Sequence, residues 1–141
     1  MWEAIITATS RDVHLEDTWR SLLLNVIETR NVELVFQPIC DKARSRNIYE
    51  ESFARIRQAD GEAVAAGLFF PMSSRVGLAV ALDRIILSQA FDAALQRPGE
   101  ACIAINVARQ SIEDETSVDW VDAQLQYLTK LGACLAFELA E

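Results

Sequence analysis

The chain alternates between stretches with apolar residues at helical spacing and shorter stretches of strand character. "WEAIITAT" (residues 2–9) is apolar and partly β-branched, which predicts a short strand, and "SRDVHLED" after it reads as a linker. From Asp17 the pattern turns helical, with Trp19, Leu22, Leu23, Val26 and Ile27 in one apolar stripe. "VELVFQPICD" predicts a strand with Pro38 near its end, where a missing N–H is tolerated. "KARSRN" is a polar turn. The next strand, in "NIYEESFARIRQADG", sends Glu51, Phe53 and Arg55 to one side and Ser52, Ala54 and Ile56 to the other. Asp60-Gly61 ends it as a hairpin signal.

"LFFPMSSRVG" reads as a loop with an apolar start. A second helix is predicted over about Leu78–Gln96, stopped by Pro98-Gly99. "ACIAINVA" (101–108) is a near-continuous apolar run, as in strands covered on both faces. "RQSIEDETS" reads as a polar loop. A third helix covers about Val118–Leu131, with Gly132 as its stop. "ACLAFELAE" (133–141) is the last strand. From the strand bearing Glu51 onward the order strand, helix, strand, helix, strand is the signature of βαβ units and a parallel sheet.

Sites in such sheets collect toward the carboxyl ends of strands. The candidate polar residues all lie in strands: Glu51 and Arg55 in one, Asn106 inside "IAINVA", and Glu138 inside "LAFELA". A buried charge is costly unless it is paired or bound, and an oxygen-only set of this kind suits Mg²⁺, Mn²⁺ or Ca²⁺. Glu51 and Arg55 stand about 13 Å apart along an extended strand, too far to pair with each other.

Composition narrows the field. With 141 residues, 51% of them apolar, the chain is sized for one domain with a real core. A net charge of −8 argues against a general nucleic-acid or anionic-membrane surface. Cys40, Cys102 and Cys134 form no C-x-x-C pair and there is one histidine, His14, so a zinc site is disfavoured. The expectation is buried, reduced thiols in a cytoplasmic protein.

The succession "VFQPI", "EESFAR", "FFP", "INVARQS" and "FELAE" resembles EAL domains, a family of cyclic-di-GMP phosphodiesterases and receptors. The signature tripeptide stands here as Glu51-Ser52-Phe53, and the resemblance runs from about Trp19 to Glu141. It implies an α/β fold, the first half of a modified TIM (β/α)8 barrel of EAL type, truncated after about four barrel strands of a fold of about 250 residues. It divides the chain into residues 1–15, a linker or the tail of a preceding GGDEF-type domain, and residues 16–141, the N-terminal half of an EAL-like domain.

By the same resemblance Glu51, Asn106 and Glu138 would be ligands of Mg or Mn. Gln37 and Arg55 would contact cyclic-di-GMP, and Glu141 would support a loop near the metals. The family's Asp-Asp pair, catalytic Lys and final Glu lie further along than this sequence reaches, so no catalytic residue is assigned. Ser73-Ser74 replace the acidic pair usual after the family's "F-I-P", and Phe53 replaces the usual Leu. These departures look closest to degenerate EAL modules that bind cyclic-di-GMP as receptors. The expected function is a cyclic-di-GMP-binding signalling module, with half of an active phosphodiesterase or a non-binding scaffold as alternatives. Expected too are a cytoplasmic location, free or as part of a membrane-anchored protein, self-association through the open barrel edge, and no DNA or RNA partner.

Overall fold

The computed structural model describes the backbone of residues 2–43, 46–98 and 100–140, with side chains from residue 15 to residue 139 within those spans. The elements are α1 (Trp2–Thr29), β1 (Val32–Asp41), β2 (Arg46–Arg57), β3 (Ala63–Ala65), α2 (Ala66–Arg75), α3 (Ala79–Leu95), β4 (Cys102–Ala108), α4 (Arg109–Glu113), α5 (Glu115–Lys130) and β5 (Leu135–Ala140).

The strands form one sheet in the order β1-β2-β4-β5, with β3 on β2. β1 and β2 are an antiparallel hairpin, and β2–β4 and β4–β5 are parallel. The parallel βαβ expectation therefore holds from β2 onward. The β2–β4 seam is short: it joins only Tyr49, Glu50 and Glu51 to Cys102, Ile103 and Ala104. Farther along, β2 takes β3 on its edge, pairing Arg55–Arg57 with Ala63–Ala65. The turn between them uses Gly61 at φ 86°, a conformation open to glycine, as Asp60-Gly61 forecast.

One face of the sheet carries the helices. Ser52, Ala54 and Ile56 are buried there. A first core unites Leu23 and Val26 of α1, Val32, Ala54 and Ile56 of the hairpin, Phe69 of α2 and Leu82 of α3. A second unites Leu87, Ala90 and Phe91 of α3 with Ile103 and Ile105 of β4 and Leu128 of α5. α3 belongs to both, so it ties the hairpin half to the parallel half.

Three stretches differ from expectation. Residues 2–17 are helix, neither strand nor linker. No Gly or Pro interrupts Trp2–Thr29, and a short apolar run cannot be told from helix by periodicity alone. The stretch read as a loop around "LFFPMSS" is α2, with Pro71 inside it. A proline ring presses on the carbonyl four residues back; here that residue is Gly67, which has no side chain to add to the crowding. "RQSIEDETS" holds α4 and the start of α5, capped by the Asp114 side chain, which accepts from the Ser117 N–H at 2.8 Å. That hydrogen bond holds the Asp114 carboxyl below its ordinary value.

The thiols also differ. Cys102 and Cys134 are joined as a disulfide, with their Cα atoms 4.4 Å apart. They are 32 residues apart in sequence but stand side by side where β4 and β5 begin. Cys40 is free and exposed. Among the described residues no helix is long and apolar enough to cross a membrane.

Candidate functional site

Register decides which polar residues share a face. Gln37 pairs with Glu51, Glu51 with Ala104, and Asn106 with Glu138. Ala104 and Asn106 are two residues apart on β4 and point the same way. Gln37, Glu51, Asn106 and Glu138 therefore lie on one sheet face, opposite the helices, spread over β1, β2, β4 and β5. Arg55 shares that face by the alternation of β2. None of the five makes a side-chain hydrogen bond or ion pair among the described residues. Glu141 lies outside the described residues.

Neighbours of the same type are committed elsewhere. Glu50, one residue from Glu51, turns to the helix side and pairs with Arg97, whose guanidinium also lies over the Phe36 ring at 4.8 Å. Arg57, two residues from Arg55, donates to Glu33 at 3.1 Å and to the Gly61 carbonyl at 2.9 Å. Within "YEESFARIR" one glutamate and one arginine hold the fold, and the other two make no side-chain hydrogen bond or ion pair among the described residues.

After Glu51, β2 and β4 separate. The gap opens into a cavity of about 1080 Å³. Phe53, Ile105 and Asn106 line it from the strands, Phe70, Pro71 and Ser74 from α2, and Arg109, Gln110 and Glu113 from α4. Both helical walls come from segments expected to be loops. Ser73, next to Ser74, is fully buried and its hydroxyl donates to the Phe70 carbonyl at 2.7 Å. Among the described residues no three His, Cys, Asp or Glu side chains come together to hold a metal ion. A set built on Glu51, Asn106 and Glu138 has only two carboxylates and needs the Asn amide oxygen.

A group missed in the sequence lies beneath this region. Asp83 of α3 is fully buried; its Oδ2 accepts from the Ala108 N–H at 2.8 Å and from the Ser111 hydroxyl at 2.7 Å. Burial pushes its carboxyl above the ordinary value, and the bonds from Ser111 and Ala108 pull the other way. A raised folded value makes its contribution to stability largest at acid pH and lost as pH rises through that value. The signal was present: an acid within the apolar stripe between Leu82 and Ile86.

The comparisons with known proteins agree on one family. The EAL domain family model matches residues 19–141. A cyclic di-GMP phosphodiesterase, PdeB of Shewanella oneidensis, is 27% identical over 127 residues, covering 87% of this chain and 15% of that protein. The fold is similar to the FimX EAL domain of Pseudomonas aeruginosa bound to c-di-GMP, with a TM-score of 0.74 and 20% identity over 86% of this chain and 49% of that one. It is similar to the Xanthomonas citri FimX EAL domain in complex with c-di-GMP, with a TM-score of 0.75 and 18% identity over 94% of this chain and 52% of that one. Vibrio cholerae LapD, solved as S helix-GGDEF-EAL, gives 0.76 and 18% over 88% of this chain and 30% of that one. The chain thus spans about half the length of the two FimX EAL structures and a small part of the curated relative. Its sheet and helices are those of the first part of the EAL barrel, and the chain belongs to the EAL domain family.

Proposed function

We propose that this chain forms one side of a cyclic-di-GMP-binding site in a degenerate receptor module. The observation that carries this is the face shared by Gln37, Glu51, Asn106 and Glu138, none of them otherwise engaged among the described residues. Arg55, on the same face, supplies a fixed positive charge for a phosphate or a guanine edge. Receptor rather than enzyme is supported by the neutral Ser73-Ser74 pair, whose first member is turned into its own helix. A preceding GGDEF-type domain, with residues 1–15 as its tail leading into α1, is supported by the S helix-GGDEF-EAL order of Vibrio cholerae LapD, to which the fold is similar.

The donor types fit a hard divalent cation, since all three proposed ligands offer oxygen. Glu51, Asn106 and Glu138 would hold Mg²⁺ or Mn²⁺, and a metal there supplies charge to a phosphate oxygen or lowers the pKa of a bound water. Three protein oxygens fall short of the six that Mg²⁺ prefers. The protein's part is to set those oxygens across the β2–β4 gap and to present Arg55 alongside. The second reading, half of an active phosphodiesterase, is favoured by the retained Glu51, Asn106 and Glu138 and by the likeness to PdeB.

Calorimetry of the full natural protein with cyclic-di-GMP and Mn²⁺ tests the site. Arg55→Ala is expected to weaken binding by about 1.5–3 kcal/mol, the scale of a hydrogen bond to a charged group. Equal affinities would return Arg55 to a structural role, and no binding by the wild type would remove the functional proposal. The nucleotide recovered afterwards should be intact; linearised product would select the enzyme.

A further inference from the structure

We propose that Asp83 is a positioning residue for Asn106, acting through the turn that ends β4. This rests on Asn106 being a ligand-facing residue, as proposed above.

The reason lies in how β4 is held. Up to Ala104 it has β2 on one side and β5 on the other. From Ile105 to Ala108 its one strand partner among the described residues is β5, because β2 has separated. Asn106 sits in that half-supported stretch. Two residues later the chain turns into α4, whose N-cap, Ala108, has no side chain able to cap. Asp83 supplies what is missing. One oxygen takes the Ala108 N–H and the hydroxyl of Ser111, the third residue of α4.

In a capping box, a carboxylate at that third helical position reaches back to the N-cap N–H. Serine is too short to do so. Here a carboxylate from another helix does it, and Ser111 fastens it in place. α3 is itself locked into both cores, so the anchor is rigid. The other oxygen, Oδ1, is buried with no partner among the described residues. An acid held at that cost in the middle of an apolar stripe is well placed to fix the end of β4, where a hydrophobic residue would pack and leave the turn loose.

The full natural protein is compared as wild type, Asp83→Ala, Asp83→Asn and Ser111→Ala. Hydrogen exchange followed by mass spectrometry reads the order of residues 104–113, and calorimetry with cyclic-di-GMP and Mn²⁺ reads the site. Asp83→Ala should speed exchange locally in 104–113 while α1 and β1 keep wild-type rates. At a temperature where it remains folded, its affinity should fall about 10- to 100-fold, the scale for residues that orient a ligand-bearing group. Asp83→Asn keeps an acceptor oxygen and should retain both properties. Combined with Asn106→Ala, Asp83→Ala should add no further loss.

Additive losses, or a lower melting temperature with unchanged local exchange and affinity, would overturn the proposal. Should Asp83→Ala not fold, Ser111→Ala decides: a smaller change in the same direction is expected, and no change overturns it. Should the wild type bind neither probe, the functional reading fails, and local exchange alone decides whether Asp83 orders the end of β4.

Discussion

Phe69→Ala is expected to destabilise the chain by about 3–5 kcal/mol, the scale for emptying a large aromatic site in a core. Phe69 is fully buried in the first core, beside Ile56, Val64 and Leu82, and its ring stands 5.0 Å from that of Phe70. It is the bolt that seats α2 on the sheet. Against a total stability of roughly 5–15 kcal/mol for a domain, that loss is a large fraction. Leu68, its neighbour, is 65% exposed, so Leu68→Ala should cost less than about 0.5 kcal/mol. Urea unfolding of the pair is the measurement. Equal, small effects would mean that α2 is the loop its sequence suggested.

The second large effect is association. The 141-residue chain should form dimers or larger species as its concentration rises. Among the described residues β1 and β5 are each paired on one side only. On β5, Phe137 is 40% and Leu139 55% exposed, although both point to the helix side of the sheet, where a neighbouring helix would normally cover them. Ile112 and Val118 add exposed apolar surface nearby. An unpaired edge with apolar residues on it invites another strand, and a continuous apolar patch favours contact. The first helix is not free to cover β5, because Leu23 and Val26 are already buried in the first core. Light scattering across a concentration series checks this. A constant mass of 15.7 kDa with a cooperative melt would show that the open edge is tolerated.

What could be read from the sequence followed its strongest periodicities. β1, β4 and β5 were legible from their short apolar runs, and β2 from its period-two alternation. The faces of β2 were legible for the same reason, and Ser52, Ala54 and Ile56 are indeed the buried set. The hairpin after β2 was legible from Asp60-Gly61. α2 was hidden because Pro71 and two serines suppress helical propensity, which burial of Phe69 offsets. α4 was hidden because five residues are too few to show a period. Of the candidate site, the pattern picked out Glu51, Arg55, Asn106 and Glu138, and the family resemblance added Gln37 and Glu141, the latter outside the described residues. Alternation separated the face of Glu51 from that of Glu50, but it could not show that Glu50 is paired, since its partner Arg97 lies 47 residues away in sequence. Asp83 went unread because its partners lie 25 and 28 residues on.

The bond between Cys102 and Cys134 sets the covalent topology of the chain. It closes a ring containing β4, α4 and α5. A single proteolytic cut at the exposed Ile112–Glu113 link would open that ring without releasing anything. The piece bearing Gln37, Glu51, Arg55 and Asn106 would stay tethered to the piece bearing Glu138. On a denaturing gel the nicked chain would migrate as one band until reductant was added, and then as two.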